Sequence, residues 1–171
     1  KTLEAGQKTD IYHEHATDLQ QQVNDFNKGI AIDGSVFEAN ETPFSYGMAC
    51  YPEKHEEAPN MESDIFYLKE KVKNGADYLV TQMFFDNEKY YAFVDRCRAE
   101  GITVPIIPGI KPIVFKNQLT VLPKIFRSDI PEPFATELRK CKTDDEAKAV
   151  GVEWCIQQCK DLIAHGVPSL Q

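Results

Sequence analysis

A pattern of helix, glycine and apolar strand occurs three times in this sequence, and it limits the folds open to the chain. Each round begins with apolar residues every three or four positions, the period of a helix lying on a core. A glycine ends the helix, and an apolar strand follows at 76–86, 104–109 and 167–170. Helices that alternate with buried strands are typical of β/α units with parallel strands.

The stretch from Ala76 to Asp86 is the centre of this pattern. It is rich in apolar, β-branched and aromatic residues and has no proline, which predicts a strand covered on both faces. Gln82 is polar and lies near the carboxyl end, where α/β barrels carry their chemistry. A buried amide without partners costs about 1–3 kcal/mol. Gln82 therefore contacts a ligand such as a pterin or a carboxamide, or it is a structural residue bonded to backbone.

The remaining segments complete the predicted fold. A helix is expected at 15–26 and a strand at 44–51, with a polar loop at 1–10. Between the second and third rounds, residues 111–142 hold four prolines and two short helical patterns. The fold class is therefore α/β: a partial (β/α)8 TIM barrel with parallel strands and an elaborated loop after the Ile106–Ile110 strand.

The chain length bounds how much of such a barrel is present. The 171 residues suffice for one domain spanning 1–171. A closed eight-stranded barrel usually needs roughly 250 residues. Because the chain begins at Lys1 without an initiator methionine and stops at Gln171 in what resembles a new strand, we expect a fragment.

Charge and hydropathy favour a protein of the cytoplasm. The net charge of -8 provides no clustered basic surface for nucleic acid. The sequence has no uninterrupted apolar stretch of membrane-spanning length and no signal peptide. We therefore expect neither nucleic acid nor a membrane as a partner, and a cytoplasmic location.

The five cysteines are expected to be reduced and buried, because their number is odd and most fall in apolar periodic segments. Cys155 and Cys159 lie one helical turn apart and could share a metal. The sequence shows no second ligand pair, so core packing is favoured and no metal site is predicted.

Two further residues keep both a binding and a surface interpretation. His55 follows a strand within a charged loop, where it is either solvated or part of a binding site. Lys71 lies at the edge of an apolar helix stripe, where it could reach a phosphate or face the solvent. The usual strong catalytic signatures, such as a Gly-rich phosphate loop or a GxSxG elbow, are absent from the sequence.

Several long motifs in order resemble methylenetetrahydrofolate reductase of the bacterial type. The main ones are Tyr51-Pro-Glu-Lys-His-Glu-Glu-Ala-Pro-Asn60, Thr81-Gln-Met-Phe-Phe-Asp86 and Gly101-Ile-Thr-Val-Pro-Ile-Ile-Pro-Gly-Ile110. Shorter matches include Gly75-Ala-Asp-Tyr78, Asp95-Arg-Cys-Arg98 and Val150-Gly-Val-Glu153. The similarity extends from about His15 to Gln171.

The resemblance implies a flavin-containing (β/α)8 barrel. Members of the family use NAD(P)H as a co-substrate to reduce bound FAD, which then reduces 5,10-methylenetetrahydrofolate to 5-methyltetrahydrofolate. The implied setting is one-carbon metabolism and methionine biosynthesis, and the complete enzyme is expected to be a homo-oligomer with folate and NAD(P)H as its small-molecule partners. The family's proton-donating acid is expected upstream of Lys1. The resemblance therefore implies that the chain is a C-terminal portion of the catalytic barrel and is inactive alone.

The resemblance also implies roles for individual residues. Gln82 matches a catalytic glutamine that contacts both folate and nicotinamide. Gln118 matches a second folate contact, and Leu122 stands where relatives have a phenylalanine that stacks on the substrate. The positions that match FAD contacts are Ala16, Tyr51, His55, Ala58, Asp64 and Lys71.

A second hypothesis from another class remains open. The chain could be a non-catalytic barrel fragment or binding module without bound flavin. An incomplete barrel leaves unpaired strand edges that invite pairing with another chain. The colour of a purified sample would distinguish the two hypotheses, since bound flavin is yellow.

Overall fold

The computed structural model describes residues 13, 15–39 and 41–171. The chain divides into two compact units, Lys1–Ser45 and Tyr46–Gln171. The loop predicted at 1–10 lies outside the described residues.

The first unit contains helix α1, Ala16–Asn27, close to the helix predicted from the sequence. Asp18 accepts a hydrogen bond from the backbone N–H of His15, which caps the start of the helix. After the helix, Ile30 and Val36 form an isolated antiparallel bridge. Residues 31–35 between them form a tight turn, in which the N–H of Gly34 donates to the carbonyl of Ala31.

The second unit is built on three parallel strands, β1 Gly47–Cys50, β2 Tyr78–Thr81 and β3 Ile106–Ile107, paired in that order. They are shorter than the predicted stretches. Residues 167–170 are not a strand, although Gln171 donates to the carbonyl of Pro108 and accepts from the N–H of Ile110. The parallel order confirms the β/α succession.

The helices of this unit are α2 Met61–Lys73, α3 Asn87–Ala99, α4 Gln118–Phe126, α5 Glu132–Lys140 and α6 Asp144–Ala164. Among the described residues, none of the helices has the length and apolar content needed to cross a membrane.

The helix caps follow from local sequence. Asn60 accepts from the N–H of Ser63 at the start of α2. Thr143 and Glu146 form the capping box of α6. At α3 the cap is Asp86, which accepts from the N–H of Glu88, and Asn87 is the first helical residue.

Two apolar clusters hold the unit together. In the first, Leu79 and Ile106 of the sheet pack against buried residues of α2 and α3 such as Leu68 and Phe93. The second joins α4, α5 and α6 to the segment after β2, and its buried members are Phe85, Ile113, Leu122, Phe134, Leu138, Cys141 and Ala147. The elaborated loop of residues 111–142 therefore has a core of its own.

Gly151 sets how closely α6 approaches this second cluster. A Cβ atom on Gly151 would overlap the carbonyl oxygen of Ile113. Glycine is thus the only residue that allows the α6 backbone to lie against the chain at Ile113 without displacement.

Candidate functional site

Tyr51 and Gln82 follow neighbouring strands and line one cavity. The backbone N–H of Gln82 donates to the carbonyl of Cys50 at 2.8 Å, which continues the pairing of β1 with β2 beyond the strand ends. The cavity has a volume of about 260 Å³, and Val80 and Gln171 are also in its wall. Because successive side chains of a strand alternate between faces, Val80 and Gln82 share the face opposite Leu79, which is buried under the helices.

The loop after β1 is folded around His55. The ring of Tyr51 packs edge to face on the imidazole, with ring centroids 4.5 Å apart. The backbone N–H of His55 donates to a carboxylate oxygen of Asp64, in the first turn of α2, at 2.7 Å. Lys54 has a positive φ, and its ammonium donates to the carbonyl of Ala58. Four of the predicted cofactor residues therefore lie in one short stretch of structure.

Lys71, in the last turn of α2, acts electrostatically on Cys50 at the end of β1. Burial raises the pKa of the Cys50 thiol strongly, whereas the positive charge of Lys71 lowers it and the carboxylate of Asp64 raises it. Burial also raises the pKa of the Tyr51 phenol, and the Asp64 carboxylate raises it further. Lys71 and Asp64 thus act on the carboxyl end of β1 with opposite charges.

An ion-pair clamp, formed by Glu53, Lys89 and Asp129, holds the β1 loop. The Lys89 ammonium lies 2.5 Å from a carboxylate oxygen of each acid. The N–H of Asp129 also donates to Glu53, whose side chain is 12% exposed. Burial raises the pKa of Glu53 against the opposing effect of Lys89. The pKa of Lys89 is raised, because the two acids outweigh the lowering effect of burial.

Among the described residues, the side-chain amide of Gln82 forms a hydrogen bond through its oxygen only. Its side-chain oxygen accepts from the N–H of Met83 at 3.0 Å, as the structural alternative requires. No described residue accepts a hydrogen bond from its amide nitrogen. The side chain therefore keeps two donor hydrogens for a ligand in the cavity that it shares with Tyr51.

Three successive carbonyls after Gln82 accept hydrogen bonds from side chains, and we call these bonds the carbonyl ties. Ser128 Oγ donates to Met83 at 2.8 Å, Gln158 Nε2 to Phe84 at 2.9 Å, and Trp154 Nε1 to Phe85 at 3.0 Å. These carbonyls have left the strand ladder and would otherwise be buried without partners. The segment that follows Gln82 is therefore fixed by residues distant in sequence.

The other predicted substrate residues lie elsewhere in the unit. The side-chain oxygen of Gln118 accepts from the N–H groups of Val114 and Phe115, so it closes the turn before α4. Leu122 is 3% exposed and belongs to the second apolar cluster. Neither lines the cavity of Tyr51 and Gln82, and Ala16 lies in the first unit. The folate and FAD roles of these three residues stay predictions.

The cysteines follow the sequence prediction only in part. Cys50, Cys97 and Cys141 are buried, but Cys155 and Cys159 are half-buried and belong to neither apolar cluster. Burial and the neighbouring Cys159 thiol raise the pKa of Cys155 to about 11. In the described part of the chain, no group of three or more His, Cys, Asp or Glu residues is placed to hold a metal ion.

Parallel strands with helices between them, and a cavity along the strand face that reaches Tyr51 and Gln82 at the carboxyl ends, define this chain as part of a parallel β/α barrel protein. A solved structure from Clostridium thermocellum resembles it with a TM-score of 0.50 and 18% identity, covering 75% of this chain and 48% of that one. That protein is described as an uncharacterized protein that binds two copies of 5-methyl-5,6,7,8-tetrahydrofolic acid.

The family model for methylenetetrahydrofolate reductase matches residues 8–171. The chain therefore belongs to the methylenetetrahydrofolate reductase family.

Curated relatives agree with this assignment. A probable methylenetetrahydrofolate reductase (NADPH) from Caenorhabditis elegans is 41% identical over 129 residues, covering 74% of this chain and 20% of the relative. The 5,10-methylenetetrahydrofolate reductase from Pectobacterium carotovorum is 33% identical over 163 residues, covering 95% of this chain and 49% of the relative. The chain thus spans from a fifth to about half the length of these relatives.

Proposed function

We propose that this chain is part of the catalytic barrel of an oxidoreductase that reduces 5,10-methylenetetrahydrofolate to 5-methyltetrahydrofolate with NAD(P)H through FAD. The observation that carries the proposal is that Tyr51 and Gln82, which follow the ends of adjacent parallel strands, line one cavity along the face of those strands. Family membership supports the folate substrate. The proposed setting is the cytoplasm, within a homo-oligomer.

The residues around the β1 loop fit a flavin. Tyr51 and His55 present an aromatic pair, and Lys71 contributes positive charge near the end of β1, suited to an anionic pyrophosphate. Asp64 holds the loop through its bond to the His55 N–H. When bound, FAD would supply hydride transfer, which protein side chains do not perform by themselves.

The proposed role of Gln82 is to orient the substrate. Its amide nitrogen would donate to an acceptor on the pterin or on the nicotinamide carboxamide, while the bond from Met83 keeps the side chain in place. The carbonyl ties restrain the backbone that carries this side chain. A positioned donor acts by holding the reactants in reacting geometry.

The first test measures FAD binding by this chain. We expect FAD fluorescence to change on titration, and the double variant His55→Ala, Lys71→Ala to weaken binding at least tenfold. The control is Lys73→Ala in the last turn of the same helix, where the lysine is largely exposed. Equal binding by the two variants would remove the β1 loop from the flavin site.

The second test concerns Gln82. Gln82→Ala should leave FAD affinity unchanged but weaken the binding of 5-methyltetrahydrofolate about tenfold, as expected when about 1.4 kcal/mol of hydrogen bonding is lost. Gln157→Ala, at an exposed position of α6 that does not line this cavity, is the control. Undiminished folate binding in Gln82→Ala would contradict the proposed role.

A binding module without flavin is the second candidate. It is favoured by the position of β1 at the edge of the described three-stranded sheet, since strand edges pair with other chains. A colourless, multimeric preparation that binds folate but no FAD would support this candidate and contradict the first.

A further inference from the structure

A groove on the helix side of the second unit is larger than the cavity of Tyr51 and Gln82. It has a volume of about 790 Å³ and lies between the start of α3, helix α5 and helix α6. This volume is within the range of sites for small molecules, which are concave and mostly apolar. The proposed oxidoreductase reaction makes no use of this groove.

The floor of the groove is aromatic. The rings of Phe134 and Trp154 stack with centroids 4.5 Å apart and an angle of 7° between their planes. Phe85 lies beside Phe134 with centroids 5.9 Å apart, and Val150 also lines the groove. A ligand that binds here would therefore place an apolar group of its own against these rings.

The side-chain donors that line the groove bond within the protein. Trp154 and Gln158 donate to the backbone through the carbonyl ties, and Gln157 donates to Glu153 at 2.8 Å. The amide nitrogen of Asn87 donates to the carbonyl of Gln158 and to Asp161. The lining residues include no Lys, Arg or His. The groove therefore offers a ligand few side-chain donors.

Acceptors remain in excess around the same groove. The side-chain oxygen of Asn87 is buried without a partner among the described residues. Five carboxylates lie in the lining, those of Asp86, Glu88, Glu137, Glu153 and Asp161. Of these, Glu137 forms an ion pair with Lys140, and Asp161 lies 3.4 Å from His165 and accepts from Tyr91. Asp86 accepts from the N–H of Glu88, and Glu153 accepts from Gln157. A ligand that matches this lining must bring its own donors and a positive charge.

We infer that the groove binds a small organic cation in which a protonated amine is joined to an apolar ring. The ring packs on the aromatic floor, and the ammonium group lies at the acidic rim. A cation beside an aromatic face gains further attraction from the ring electrons. The finite volume favours a small molecule over an extended basic peptide.

Trp154 is the single tryptophan of the sequence, so intrinsic fluorescence reports on the groove directly. The probe is 4-phenylbutylamine, with 4-phenylbutanol and 4-phenylbutyrate as its neutral and anionic counterparts. We expect saturable binding of the amine, about tenfold weaker binding of the alcohol and none of the acid. Binding of the amine should weaken as salt is added.

Two variants test the acidic rim. Glu88→Gln and Glu153→Gln should each weaken binding of the amine about two- to fivefold, the effect of removing one exposed charge. Glu70→Gln, on the surface of α2, is the matched control and should change nothing. Equal affinity for amine and alcohol, or unchanged affinity in both rim variants, would reduce the groove to an apolar crevice and overturn the inference. Much tighter binding of a basic amphipathic peptide would assign it to a protein partner instead.

Discussion

The segments that follow β1 and β2 lead to the same cavity but are held by different interactions. The β1 loop depends on charged groups, namely the clamp of Glu53, Lys89 and Asp129. The segment after β2 depends on the carbonyl ties, whose donors are the neutral side chains of Ser128, Trp154 and Gln158. The stability of the β1 loop should therefore depend on salt and pH, whereas that of the segment after β2 should not.

Burial explains why the two segments are held by different interactions. Phe84 and Phe85 are 0% and 2% exposed, so their carbonyls lie where an unpaired polar group is costly. In the clamp, the side chain of Asp129 is 78% exposed and that of Lys89 is 34% exposed. Partly exposed ion pairs contribute little because water and salt screen them. The carbonyl ties should therefore contribute more stability than the clamp.

The largest expected effect is that of Gln158→Met. This change keeps the length of the side chain but leaves the Phe84 carbonyl unpaired, so unfolding free energy should fall by about 1–3 kcal/mol. Chemical denaturation followed by circular dichroism measures the loss. Gln157→Met, at the exposed neighbouring position, is the control. If both variants unfold alike, the tie from Gln158 is not the cause.

Ser128→Ala comes next. Ser128 is 2% exposed and its hydroxyl donates to Met83 alone among the described residues, so its loss should lower stability by about 1 kcal/mol. This loss should be the same at low and high salt. A strong dependence on salt would remove the contrast between the two segments.

Lys89→Met should have a smaller effect on stability, about 0.5 kcal/mol, because the Lys89 and Asp129 side chains are exposed enough for water to screen them, although Glu53 is only 12% exposed. Its effect on the β1 loop should be visible in faster hydrogen exchange at residues 53–58. High salt should reduce the difference between the variant and the unchanged protein. Lys69→Met, which removes an exposed pair with Glu100, is the control.

The smallest expected effect is the loss of stability when the Lys89 ion pairs are lost at alkaline pH. The folded pKa of Lys89 is raised above its ordinary value of 10.5. Its stabilisation is therefore complete below pH 10.5 and is lost as the pH rises through the folded pKa. The stability difference between Lys89→Met and the unchanged protein should accordingly shrink above pH 10.5 and stay constant between that pH and neutral pH, where both acids are ionised. A difference that grows with alkaline pH would contradict this sign.

Local features of the fold were predictable from the sequence. The capping box of Thr143 and Glu146, and the cap at Asn60, depend on residues three positions apart. The placement of Gln82 at the end of a parallel strand was also predicted, because the pattern of apolar residues marks the strand and its direction.

The features that were missed depend on contacts between distant segments. Lys89 lies 36 residues from Glu53 and 40 from Asp129, so sequence spacing carried no signal of the clamp. The carbonyl ties depend on where the chain leaves the sheet, and the strands proved shorter than predicted. At α3, Asp86 and Asn87 are both good capping residues, and only the backbone geometry decides between them.

Because Gly151 has no side chain, the backbone of α6 can lie directly against the chain at Ile113. Trp154 and Gln158 follow it along the same helix by roughly one and two turns, so any outward shift of the helix axis would withdraw both of their donors together. A single added methyl group, far from any substrate, would thus loosen the backbone behind Gln82. Mutations at this position should consequently disturb the position of Gln82.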